Sequence, residues 1–356
     1  MSEWSVTEPR KLSFDGPVTA LSVRVVNGTV NVVGTDGLSD GEPTARLEVT
    51  ELDGPPLVVT HEDGKLTVTY EDLPWQGFLK MFDRHSWQRS ATVTLTVPGG
   101  AKVDVGVVGA SAVLFGLRAR TDVRSVTGEA TLVGLSGPAS AETVSGNVET
   151  HSLTGKLRFK SVTGDLTVVD GAGPSVRADS VGGAMVIDVD TSKSGPTDIG
   201  LTTVSGEIAI RLPHPADAKV EANTTSGSVS NAFEDLRVSG GGCATEHGGP
   251  SAWGWAQKKI TGTLGTGAGK LRATTVSGSI ALLRRPQEEA APAETPAGEN
   301  VPTDSPARGD APVDTPPPAA PPTPPSTGSA PTDTPPAETP PSDTPPSDGP
   351  SSGKVL

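Results

Sequence analysis

From Ala101 onward the chain counts in nines, and no other feature of the sequence restricts its fold as strongly. Gly128, Gly137, Gly146, Gly155, Gly164, Gly173 and Gly182 stand nine residues apart. Every second one closes a near-identical tetrapeptide: SVTG at 125–128, TVSG at 143–146, SVTG at 161–164 and a weaker SVGG at 180–183.

Around each glycine the apolar residues fall two before, two after and four after. Val126, Ala130 and Leu132 surround Gly128, Val144 and Val148 surround Gly146, Leu153, Leu157 and Phe159 surround Gly155, and Val162, Leu166 and Val168 surround Gly164. Offsets of two and four place side chains on one face of an extended strand, whereas a helix needs a period of 3.6. The step from four-after to the next two-before is odd, so a flat strand would turn successive apolar groups to opposite faces. A corner restores the inward face. The pattern predicts an all-β fold, a parallel β-solenoid (β-helix) with about 18 residues per coil. Val126, Val144 and Val162 are then expected to stack in its dry interior. Ser125, Thr143 and Ser161, and likewise Thr127, Ser145 and Thr163, are expected to form hydroxyl ladders on the solvent face, about 4.8 Å per step.

Ala101, Ala110 and Ala119 hold the glycine's place earlier in the register, so the position calls for a small residue rather than positive φ. The repeats are expected to start near Ala101. Beyond Val168 the register slips by one, with origins at Pro174 and Gly183. The pattern continues about Gly206, weakens at Thr225, Gly227 and Val229, returns at Ile260 and Leu264, and closes with Val276, Gly278, Ile280 and Leu282. Residues 101–285 are therefore read as the solenoid.

Residues 1–100 read as an antiparallel β cap that covers the strand edges at the solenoid's end. Short strands are expected at 18–26, 29–33, 46–51, 57–61 and 65–70, with hairpin-type turns at Asn27-Gly28 and Asp63-Gly64. Residues 73–89 break this pattern. Trp75, Phe78, Leu79 and Phe82 follow i, i+3, i+4, i+7 spacing, which suits a short helical lid, and Trp87 follows closely. These five side chains are the candidate partner-docking residues. Lys80, Arg84 and Arg89 beside them also make this segment the place where contact with a membrane surface would occur.

Of the 34 prolines, 21 lie in 286–356, where DTPP and SDTPP recur with almost no large apolar residues. Such a segment buries too little surface to offset chain entropy, so a disordered acidic Pro-rich tail is expected. Its eleven acidic residues against Arg308 and Lys354 carry about −9 of the formal −14, leaving about −5 elsewhere. With no basic stripe, nucleic acid is not an expected partner. The first residues lack the apolar core of a signal peptide and no apolar run reaches 18 residues, so cytoplasmic residence is expected. Cys243 is the sole cysteine, and with His247 in a Gly-rich insertion it makes a poor metal site. No cofactor is expected.

Several stretches together resemble a bacterial, notably actinobacterial, β-strand-repeat family of unknown function that often carries an adhesin label. They are VNGTVNVVG at 26–34, LTVPGGAKVDV at 95–105, the serial SVTG/TVSG turns, TTVSGEIAI at 202–210 and TTVSGSIALL at 274–283. The similarity covers about residues 10–285. It implies a β-solenoid, a surface role and no catalytic residues to carry over.

The favoured function is a non-enzymatic binding or scaffold module with a protein or surface partner, since solenoids present extended regular surfaces. The alternative is a carbohydrate-active β-helix enzyme. Glu129, Asp165 and Glu207 each follow an origin glycine, and glycosidase chemistry needs two carboxyl groups about 5–9.5 Å apart. A calcium-binding roll would need Asp in GGxGxD-type turns, where this chain has Ser, Thr and Val. The five histidines, His61, His85, His151, His214 and His247, sit in unrelated contexts and supply no triad.

Overall fold

In a computed structural model, the structure describes residues 2–36, 44–70, 89–190, 195–240 and 257–285. The chain divides into two compact units, 1–291 and 292–356. All described residues belong to the first, and the Pro-rich segment 286–356 lies outside them.

The described residues hold 26 strands and no helix. The strands before the repeats are β1 (Ser2–Val6), β2 (Arg10–Phe14), β3 (Ala20–Val25), β4 (Asn27–Thr35), β5 (Ala45–Asp53), β6 (Leu57–Glu62), β7 (Lys65–Tyr70) and β8 (Ser90–Pro98). The repeats supply β9 (Lys102–Val107), β10 (Ser111–Phe115), β11 (Thr121–Ser125), β12 (Ala130–Val133), β13 (Ala139–Thr143), β14 (Val148–His151), β15 (Leu157–Lys160), β16 (Leu166–Gly171), β17 (Ser175–Asp179) and β18 (Met185–Val189). The chain continues with β19 (Asp198–Thr203), β20 (Ile208–Leu212), β21 (Ala218–Thr224), β22 (Val229–Asn231), β23 (Leu236–Ser239), β24 (Lys258–Leu264), β25 (Gly269–Thr275) and β26 (Ile280–Arg284).

Each coil lays one strand in each of two sheets. The first sheet runs β1-β6-β7-β3-β9-β11-β13-β15-β17-β19-β25-β21-β24-β23 and the second β2-β5-β8-β4-β10-β12-β14-β16-β18-β20-β26-β22. From β9 to β20 the pairing is parallel and in sequence order, as the nonapeptide count predicts. Thr121 pairs Ala139 and Ala139 pairs Leu157, steps of one 18-residue coil. The slip expected after Val168 is a bulge between Val168 and Gly171, with Asp170 at φ 53°. It lengthens that coil by one residue, so Leu157 meets Val176.

Inward side chains from both sheets form one aliphatic core, including Leu132, Leu157, Phe159, Leu166, Ile187, Leu201 and Ile210, all buried. Val144 and Val162 are not part of it. They stand on the outside at 44% and 46% exposure, although the coils stack as expected. For Val144 strand parity gives the reason: Ala141 and Thr143 occupy alternate inward positions, so the next residue points out, whereas Val126 at the same corner is buried as expected. Leu135 and Leu153, at the other corner of the coil, do remain inside.

Both ends are wound out of sequence order. At the amino end β3 and β4 stack directly on β9 and β10, while β7 and β8 lie beyond them. Parallel stacking therefore reaches earlier than Ala101. Antiparallel strands β1, β2, β5 and β6 cover that end. Asp63-Gly64 is the expected hairpin turn, with φ of 49° and 75° joining β6 to β7. Asn27-Gly28 is instead a corner, because β3 and β4 belong to different sheets. At the other end β25 and β26 insert between the β19/β20 coil and the β21/β22 coil. Antiparallel β24 and β23 then extend the first sheet.

Candidate binding surface

The repeated tetrapeptide forms one kind of corner. Its first hydroxyl residue points inward and satisfies the turn: the Gly146 amide donates to Thr143 Oγ1 at 2.8 Å, and Gly164 to Ser161 Oγ at 2.7 Å. Gly206 and Gly278 repeat this with Thr203 and Thr275. The second hydroxyl residue points outward and donates to the valine carbonyl one coil earlier: Thr127 to Val108, Ser145 to Val126 and Thr163 to Val144, at 3.1–3.3 Å. The outward ladder of Thr127, Ser145 and Thr163 thus bonds between coils as expected, while Ser125, Thr143 and Ser161 work within their own turns. At Gly128, Gly146 and Gly164 the closing glycine has no positive φ, whereas Gly183 of the weaker SVGG has φ 96°. A Cβ on Gly146 would overlap the carbonyl oxygen of Gly128 in the coil beside it, so close backbone approach dictates the residue.

Between the two hydroxyls sits the valine that sequence periodicity places inside. Val144, Val162, Val181, Val204 and Val276 follow one another up five successive coils, each 44–52% exposed. Their amides bond from coil to coil, as from Val144 to Ser125, Val204 to Val181 and Val276 to Val204. The row ends at Thr225, whose amide bonds to Val276. At the opposite end Val126 is buried. For Val144 the signal in the sequence is the parity carried from Ala141 through Thr143, which there outweighs distance from the glycine.

The outer faces of the two sheets differ in charge. The first carries a ladder of ions. Arg24 pairs with Asp104, Arg124 reaches Asp104 at 3.1 Å and Glu142 at 3.8 Å, and Lys160 reaches Glu142 at 3.8 Å. Further along, Glu221 takes Lys259 and Arg272, both at 3.0 Å. The Lys259 hydrogen bond foremost, then Arg272, holds its carboxyl below the usual range.

On the second sheet, the outward side chains make two columns. One reads Glu48, Thr94, Asn31, Val113, Thr131, Glu149 and the other Arg46, Thr96, Val33, Phe115, Val133, His151. The four middle levels are uncharged, and Phe115 is half exposed at their centre. Lys11–Glu48 at 2.9 Å and Glu149–His151 at 2.8 Å bound this stretch.

Asp165 is engaged structurally, accepting from the Ala184 amide at 2.7 Å. Glu129, Asp165 and Glu207 lie on alternate coils, with Asn147 and Ala184 at the same corner position between them. Asp170, Asp188 and Asp190 converge on the guanidinium of Arg285 at 3.5–3.7 Å, and Arg211 also reaches Asp188 at 3.4 Å. Among the described residues no group of three or more His, Cys, Asp or Glu is placed to hold a metal ion. The candidate docking residues Trp75, Phe78, Leu79, Phe82 and Trp87 lie outside the described residues, as do Cys243 and His247. Of that expected lid only Arg89 is described, 5.7 Å above the Tyr70 ring.

A family model, Toastrack DUF4097, matches residues 44–283, more than half of the chain. The chain belongs to the Toastrack DUF4097 family. The β3/β4 coil, residues 20–35, precedes the matched span, yet it packs between two coils inside that span. Comparison with curated proteins returns no match. Among solved structures the chain is similar to a protein of Clostridium sporogenes ATCC 15579 whose name makes it a candidate cell adhesion protein. That similarity has 9% identity and a TM-score of 0.27, covering 78% of this chain and 100% of that one.

Proposed function

We propose that this Toastrack solenoid is a non-enzymatic, adhesin-like binding module that offers its valine corner to a protein or surface-bound partner. The observation that carries the reading is the exposed row from Val144 to Val276. Five coils in succession keep an aliphatic group in solvent, and in four of them the next residue is a hydroxyl fixed in place by a bond between coils. An apolar strip of this regularity, on a rigid backbone that loses little freedom on binding, suits recognition of an extended partner.

The test places a photo-crosslinking side chain at Val181 in the native cell, with Arg158 on the charged face as the control position. A specific adduct from Val181 that is absent from Arg158, and that is lost when Val162 and Val204 are replaced by Asp, supports the proposal. Equal labelling from both positions, or none from Val181, counts against it.

A further inference from the structure

We infer that the partner of the valine corner is an extended, proline-rich polypeptide segment that carries a lysine or arginine at every third residue. The inference rests on the corner reading above and assigns the chemistry of what binds there.

The charge beside the corner sets the partner's sign. Three residues beyond the valines, on the side of the second sheet, Glu129, Asn147, Asp165, Ala184 and Glu207 follow one another in stacking order, linked by bonds from coil to coil. The three carboxylates are exposed and recur on alternate coils, about 9.6 Å apart. No cation pairs with any of them among the described residues, and the Asp165 carboxylate accepts only from the neutral Ala184 amide. The flank on the first sheet's side alternates in sign instead, through Arg124, Glu142, Lys160 and Asp179. Unbalanced charge therefore lies along one side of the valines, and it is negative.

Spacing sets the partner's conformation. At about 4.8 Å per coil the five valines span about 19 Å. A polyproline II helix repeats every three residues, about 9.3 Å, so its three faces run straight along its axis and two turns fall short of the row by only about 0.6 Å. An α-helix with a pitch of about 5.4 Å drifts by about 2.4 Å over the same four steps. One face of a strand repeats about every 6.7 Å, which matches neither one coil nor two. A cationic face of the polyproline II helix thus keeps register with the carboxylates while the adjacent proline face covers the valines.

Hydrogen bonding favours proline as well. The amides of Val144, Val204 and Val276, and of the serines after them, already donate to carbonyls of neighbouring coils. The hydroxyls of Ser145, Thr163, Ser205 and Ser277 do the same. A partner laid on these methyl groups would lose hydration from its own amides without recovering a bond. Proline has no amide to lose.

The test titrates the full chain into a fluorescent peptide of four Pro-Pro-Lys repeats, and into one of the same composition whose lysines are alternately two and four residues apart. Anisotropy is expected to show the regular peptide bound about tenfold more tightly. Glu129→Gln with Glu207→Gln is expected to weaken it about tenfold, and Val162→Ser with Val204→Ser about fivefold. Glu3→Gln with Glu8→Gln, which removes the same charge at the amino end, is expected to leave it unchanged. All six side chains are exposed, so the melting temperature is expected to stay the same. No binding, equal binding of the two peptides, or equal loss from both pairs of Glu→Gln substitutions overturns the inference. A specific adduct from Val181 in the cell alongside any of those results would remove this partner chemistry and leave the corner standing as a binding surface.

Discussion

Thr202 and Thr274 are direct register partners in adjacent parallel strands, although β20 to β24 separate them along the chain. The repeated segments TTVSGEIAI and TTVSGSIALL stack on each other because the last coil is wedged between two earlier ones. Leu282, buried in β26, therefore supports strands on both sides. Leu282→Ala leaves a cavity expected to cost about 2–5 kcal/mol. Hydrogen exchange is expected to accelerate in β20 and β22 together with β26. Acceleration confined to residues 280–284 would show that the wedged coil frays alone.

Position relative to the corner decides what a charge does. Leu157 is 2% exposed in the aliphatic core and Val144 is 44% exposed on the corner. Leu157→Asp buries an unpaired carboxylate and is expected to cost at least about 3 kcal/mol, enough to unfold the middle coils. Val144→Asp is expected to change stability by less than about 0.5 kcal/mol. Urea unfolding of both variants measures the contrast, and a severe loss from Val144→Asp would place that side chain inside.

The parallel solenoid, its 18-residue coil and the slip after Val168 were all legible in the sequence, since each leaves a periodic mark in side-chain type. The valine row was not, because spacing from Gly146 or Gly164 alone assigns Val144 and Val162 the same face as Leu135 and Leu153. Alternation carried through Ala141-Glu142-Thr143 places Val144 outside, whereas Val126, reached by the same alternation from Val123, is buried. The winding order at the ends left no local mark either. Asn27-Gly28 reads as a hairpin in isolation, and its role as a corner depends on β9 and β10 closing over β3 and β4. Phe115, one aromatic at an outward position of an alternating strand, gains meaning only from the uncharged neighbours that pairing brings beside it.

The two kinds of glycine are expected to respond differently to the same methyl group. At Gly146 the new Cβ meets the Gly128 carbonyl, which is itself held in a hydrogen-bonded stack. Gly134 has φ 64° and nothing within 4 Å of an added Cβ. Gly146→Ala is expected to cost about 1–3 kcal/mol through overpacking and to spread to neighbouring coils. Gly134→Ala carries only local backbone strain of about 1–2 kcal/mol. Thermal unfolding gives the magnitudes, and exchange rates in β12 and β14 separate a propagated effect from a local one.

Tyr70 is the chain's single tyrosine, so its titration can be followed without interference from others. It is fully buried, and its hydroxyl has no hydrogen-bond partner among the described residues. Burial pushes its pKa up to about 12, with the nearby Arg89 charge opposing part of that rise. The native state therefore keeps the proton through a range in which the unfolded chain, titrating near 10, loses it. The associated stability is fully present below pH of about 10 and drains away as pH rises toward about 12. Tyr70→Phe is expected to leave stability at pH 7 unchanged or slightly raised, since it removes an unpaired buried polar group. It is also expected to flatten the alkaline loss. Tyrosinate absorbance should titrate near 12 in the native protein and near 10 in denaturant, and a native midpoint near 10 would show that the hydroxyl reaches water.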